Sequence, residues 1–69
     1  MKLSARNRIP ATVTGVTAGE ATANIELDAS GSRLVASITV EAANELKLVP
    51  GAQVTAIIKA SDVILAVED

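Results

Sequence analysis

Apolar and polar residues alternate with a period of two through most of this chain, and turn-forming residues close each run. From Ile9, the residues Ile9, Ala11 and Val13 share one face while Thr12 and Thr14 take the other, until Thr-Ala-Gly at 17–19 interrupts the pattern. Successive side chains of an extended backbone point to opposite sides, so this spacing predicts a strand with one face buried. Next, Ala21, Ala23, Ile25 and Leu27 alternate with Thr22, Asn24, Glu26 and Asp28, the cleanest alternation in the chain. The stretch DASGS at 28–32 has the composition of a turn. After it Leu34, Ala36, Ile38 and Val40 alternate with Arg33, Val35, Ser37 and Thr39, so the second and third strands are expected to form a hairpin.

The period then changes. Residues 41–48, EAANELKL, are rich in good helix formers, set Ala42 and Leu46 four apart, and begin with an acid that suits the positive end of a helix dipole. Val-Pro-Gly at 49–51 stops that helix, because proline cannot continue it and glycine supplies the turn. A fourth strand is expected where Val54, Ala56 and Ile58 oppose Gln53, Thr55, Ile57 and Lys59. Beyond Ala-Ser-Asp at 60–62, the run VILAV at 63–67 is apolar on both faces. It predicts a final strand covered twice, in a barrel and against another subunit. Five strands with one short helix between the third and fourth is the element order of the OB-fold, a small, partly open all-β barrel, here as a single domain over residues 1–69.

Composition sharpens this picture by exclusion. A 69-residue domain hides only about 60% of its unfolded surface, so its core is marginal without a staple or a partner. The chain has no cysteine for a disulfide or thiolate metal site, and no histidine, the commonest zinc ligand and general base. Its hydrophobic content is 49%, none of it aromatic, and such apolar content in so small a body leaves surface for a partner. An oligomer is therefore expected. A net charge of −2 and the lack of stacking platforms argue against nucleic acid. VILAV is far shorter than the roughly 20 residues that span a bilayer, and with no apolar signal region the default location is the cytoplasm. No glycine-rich phosphate loop, GxSxG elbow or CxxC is present, and Glu26 and Asp28 lie on the polar face of a strand. A serine without histidine is rarely a nucleophile, so catalysis is not expected, nor is a metal held directly by side chains.

What remains is a set of hydrogen-bond donors. Three of the six basic residues, Lys2, Arg6 and Arg8, crowd into the first eight positions, where SARNR also brings Ser4 and Asn7. Later, IKAS at 58–61 brings Lys59 and Ser61, with backbone amides at Ala60 and Ser61. Donors and fixed cations with few acceptors suit a small dianion, although the same residues also read as surface charges and turn caps.

From MKLSARNRIPATV through VASITVEAANELKLVPGAQVTAIIKASDVILAV, the chain resembles the molbindins. These are stand-alone forms of the Mop domain, which binds molybdate and tungstate in bacteria and archaea and is also attached to molybdate-responsive regulators and transporter ATPases. SARN and IKAS are the specific parts of the match. The resemblance implies a cytoplasmic protein of molybdenum storage and homeostasis, assembled as a hexamer from a trimer of dimers. It also implies that molybdate or tungstate lies between subunits, with Ser4, the Ala5 backbone and Arg6 facing Lys59, Ala60 and Ser61 of a neighbour. Thr39, at the mouth of the predicted helix, matches a contributing threonine, while Ala42 and Glu45 replace a hydroxyl and a basic residue found in some relatives. A second anion site near the three-fold axes is expected around Gly19 and Glu20. Two readings of other classes stand beside this one, a structural OB-fold assembly module and a nucleic-acid-binding OB domain.

Overall fold

The computed structural model describes residues 1–68. It contains strands β1 (Asn7–Ala18), β2 (Thr22–Ala29) and β3 (Ser32–Thr39), helix α1 (Val40–Glu45), strand β4 (Gln53–Ile58) and a 3-10 turn at Ala60–Asp62. The four strands form one sheet in the order β3-β2-β1-β4, with every neighbouring pair antiparallel. The long β1 holds the sheet together. Residues Asn7 to Thr12 pair with β4 and Thr12 to Ala18 pair with β2, with a bulge between Val13 and Gly15. A bulge bends its strand and increases its twist, which lets β1 pair with β4 along its first half and with β2 along its second, and curls the sheet into an open, OB-like barrel.

Alternation becomes burial as expected along β1 and β2. Ala11, Val13, Ala23, Ile25, Leu27 and Ala29 are buried, and Leu34, Ala36, Ile38, Val54 and Ala56 pack half-buried against them. The β2–β3 hairpin turns through Ser30 (φ 52°) and Gly31 (φ 92°), both left-handed as the tightest hairpin turns require. The Gly31 N–H donates to Asp28 Oδ1 at 3.0 Å and fixes that turn.

Helix α1 buries a different residue from those the spacing selects. Ala43 is its buried residue, Ala42 is half-buried, and Leu46 is 66% exposed. The cause is the short helix and its ending. Lys47 takes φ 55°, its N–H donates to the Asn44 carbonyl at 3.1 Å, and the Leu48 N–H donates to the Ala43 carbonyl at 3.1 Å. That is a Schellman ending, in which the chain reverses after Leu46 and Leu48 becomes the residue that packs inward.

The fifth strand is where the single chain departs from expectation. Residues 63–67 form no strand, and Ile64, Leu65 and Val67 are 93%, 88% and 90% exposed. Strands β3 and β4 are the two edges of the sheet, and between them opens an apolar cleft of about 370 Å³ lined by Ile25, Leu34, Ile38, Leu48, Val54 and Ala56 among others. A run that is apolar on both faces needs two covering surfaces, and one copy of this chain supplies neither to its own C-terminal run.

Candidate functional site

Antiparallel pairing of β1 with β4 sends the chain entering β1 and the chain leaving β4 to the same end of the sheet. Asn7 and Ile58 form the last pair of that ladder. Ser4, Ala5 and Arg6 stand immediately before it, and Lys59, Ala60 and Ser61 immediately after. The two motifs, separated by most of the sequence, therefore emerge side by side from one strand pair. Ser4, Arg6, Lys59, Ala60 and Ser61 are exposed, and Ala5 is half-buried.

Local geometry favours donors at this end. Lys59 is extended, and the turn after it is closed by the Asp62 N–H donating to the Lys59 carbonyl at 2.9 Å. The opening N–H groups of such a turn, here those of Ala60 and Ser61, have no acceptor inside it. Among the described residues the one ion pair is Arg33 with Glu26, on an exposed face of the β2–β3 hairpin. Arg6 and Lys59 thus carry charges that no carboxylate among those residues neutralises. No group of three or more His, Cys, Asp or Glu side chains among the described residues is arranged to hold a metal ion.

The remaining predicted residues lie elsewhere. Thr39 ends β3 opposite Thr22, and Ala18 pairs with Ala23, so Thr39 sits at the far end of β1 from Asn7. It is the N-cap of α1, its Oγ1 accepting the Ala42 N–H at 3.0 Å. The hydroxyl proton of a threonine that accepts in this way is still free to donate. Gly19 and Glu20 occupy the β1–β2 turn at that same far end. The Gly19 N–H donates to the Thr22 carbonyl at 2.8 Å, which closes the turn and engages that one amide. Within one chain, then, the fold unites the 4–6 and 59–61 motifs and separates both from Thr39, Gly19 and Glu20.

The amide of SARNR, Asn7, has a part in the fold that composition does not show. Asn7 Nδ2 donates to the Ile58 carbonyl at 3.0 Å, a half-buried bond that ties the first motif to the second. Its signal in the sequence is only an amide placed where an exposed strand would begin.

A family model for the TOBE domain matches residues 3–65. Molybdenum-pterin-binding protein 1 of Clostridium pasteurianum is 36% identical over 66 residues, which is 94% of this chain and 97% of that protein. Molybdenum-pterin-binding protein MopA of Rhodobacter capsulatus is 48% identical over 67 residues, covering 96% of this chain. The chain spans only 25% of the length of MopA. Among solved structures, a molybdate binding protein from Sporomusa ovata superposes with a TM-score of 0.91 at 42% identity, over 96% of this chain and 98% of that one.

Proposed function

The chain belongs to the TOBE domain family, among its molybdenum-pterin-binding (Mop) proteins, and from that premise we propose that it binds molybdate, or tungstate, as an intact tetrahedral dianion. The observation that carries the reading is the β1–β4 register, which brings two donor-bearing motifs to one end of the sheet, where Arg6 and Lys59 have no carboxylate partner among the described residues. Ser4, the Ala5 amide and Arg6 of one copy face Lys59, Ala60 and Ser61 of a neighbour. The guanidinium and ammonium offset the anion's charge, and the hydroxyls and amides orient its oxygens by charge-assisted hydrogen bonds. Specificity follows from fixed donors. A smaller oxyanion such as sulfate leaves some of them out of reach, and an unpaired donor in a desolvated pocket is costly. There is no chemical step, and the ligand enters and leaves unchanged, which suits storage and homeostasis in the cytoplasm.

The pocket needs more than one copy in this reading, and the exposed end of the chain supports that. Covering Ile64, Leu65 and Val67 on a neighbour is worth roughly 5 to 9 kcal/mol before the costs of association. The edges of β3 and β4 and the cleft between them supply surface for such a neighbour. A hexamer built as a trimer of dimers is the assembly we propose. In it Thr39 acts on the Arg6 site from a different copy than the one holding Arg6, since it lies at the opposite end of β1, while the turn at Gly19 and Glu20 belongs to a second anion site near the three-fold axes.

Calorimetry of the sized oligomer with molybdate, using sulfate as control, tests the reading. Saturable molybdate binding with sulfate silent is expected, and Arg6→Ala should weaken it by more than tenfold while Arg8→Ala changes it less than threefold. Equal losses at both positions would mean that N-terminal charge acts diffusely and that Arg6 has no defined place on the anion. The exposed apolar run favours one other reading, a pure assembly module, which predicts a stable oligomer indifferent to both anions.

A further inference from the structure

Asn7 stands between the two donor motifs without belonging to either. It is the last residue of Ser-Ala-Arg-Asn and the first of β1, and its side chain is half-buried. Its Nδ2 donates at 3.0 Å to the carbonyl of Ile58, the last residue of β4 and the one that precedes Lys59. The bond spans 51 positions of sequence. The same two residues form the final pair of the β1–β4 ladder, and neither Ser4–Arg6 nor Lys59 continues it. This bond is therefore the last cross-link before the two motif segments leave the sheet.

We infer that Asn7 is a positioning residue for the oxyanion site: its side-chain amide fixes the strand end from which Arg6 and Lys59 project. The inference rests on the molybdate reading above. Arg6 lies one residue before the bond on its donor side, and Lys59 lies one residue after it on its acceptor side. Strand ends fray, and a ladder that ends on a side-chain bond in addition to its backbone pairing frays less. An anion site tolerates displacements of only about 0.5 Å in its donors, so loosening this end makes the anion itself order both segments on binding. Because each copy offers Ser4–Arg6 to one anion and Lys59–Ser61 to another, a single Asn7 holds half of two sites. The side chain needed is a neutral donor. A carboxylate there would face the carbonyl with lone pairs and add negative charge beside Arg6.

The molecule contains its own control. Gln53 Nε2 donates to Thr12 Oγ1 at 3.1 Å, a second side-chain cross-link between β1 and β4, located at the other terminal pair of the same ladder. The test compares Asn7→Ala, Asn7→Gln and Gln53→Ala with the unaltered oligomer, reading molybdate and sulfate binding by calorimetry, size by sedimentation, and the unfolding midpoint without anion. Asn7→Ala should weaken molybdate binding at least tenfold and narrow its preference over sulfate. Gln53→Ala should lower the unfolding midpoint by a similar amount yet bind molybdate within threefold of the unaltered protein, and Asn7→Gln, which keeps a neutral donor, should recover part of the loss. If Asn7→Ala fails to assemble, Asn7→Leu, uncharged and of similar size, takes its place against Asn7→Gln. Molybdate affinity unchanged in the variant lacking the donor, or lowered equally by Gln53→Ala, overturns the inference while leaving the molybdate reading intact. An unaltered oligomer that does not bind molybdate overturns both.

Discussion

The β2–β3 hairpin and the run at 63–67 both carry aliphatic, β-favouring side chains, yet one is self-sufficient and the other is bare. In the hairpin, each apolar position of β2 from Ala23 to Ala29 is buried and each polar one faces out. In the terminal run, Ile64, Leu65 and Val67 are almost fully exposed. The difference is in the pattern, because β2 sets a polar residue between successive apolar ones and the terminal run sets none. Alternation describes a surface with one wet side, which a small barrel can cover by itself, whereas an uninterrupted apolar run describes a strand dry on both sides, which needs a neighbour.

The largest test of that contrast is Ile25→Ala. Ile25 is 1% exposed in the middle of β2, so the substitution should cost about 2 to 5 kcal/mol in denaturant unfolding and cooperatively weaken the whole sheet. Next is Leu65→Asp. Placing a charge on a residue that is 88% exposed in the single chain should leave the β-sheet circular dichroism of the folded protein intact but shift sedimentation toward smaller species. If Leu65→Asp sediments like the unaltered protein, the terminal run is not an interface and the contrast fails. The smallest effect is expected at Lys47, which holds φ 55° at the end of α1 where glycine carries no steric penalty. Lys47→Gly should raise stability by about 0.5 to 1 kcal/mol at constant protein concentration without altering oligomer size, which separates the self-sufficient body from its assembly.

Legibility in the sequence followed the range of the interactions. The β2–β3 hairpin was readable because its register is set by a turn two residues wide and by alternation on both arms. Strand β1 runs on to Ala18, past the expected break at Thr17, because the true turn is Gly19 to Ala21. The spacing of Ala42 and Leu46 does not mark the inner face of α1, where Ala43 is the buried residue. Helical periodicity presumes a helix that continues, and a Schellman ending after six residues hands the inward position to Leu48. The motifs at 4–6 and 59–61 were visible as residues, but their shared location depends on the non-local β1–β4 register, which no local pattern encodes. Thr39 shows the reverse case. Its position before a helix was legible, and its hydroxyl oxygen proves to be engaged in capping that helix.

The Asn7–Ile58 pair also sets an order of events. The β2–β3 turn closes across Ser30 and Gly31, whereas the motif end of β1–β4 must close a loop with its ends 51 positions apart. Loop-closure entropy rises with loop length, so the hairpin is expected to form before the motif end, an order that amide-exchange labelling during refolding would test. A chain that is only partly folded therefore has its hairpin but not its donor set. Under the proposed oxyanion reading, an anion held at that end would bind only chains whose β1–β4 ladder is complete.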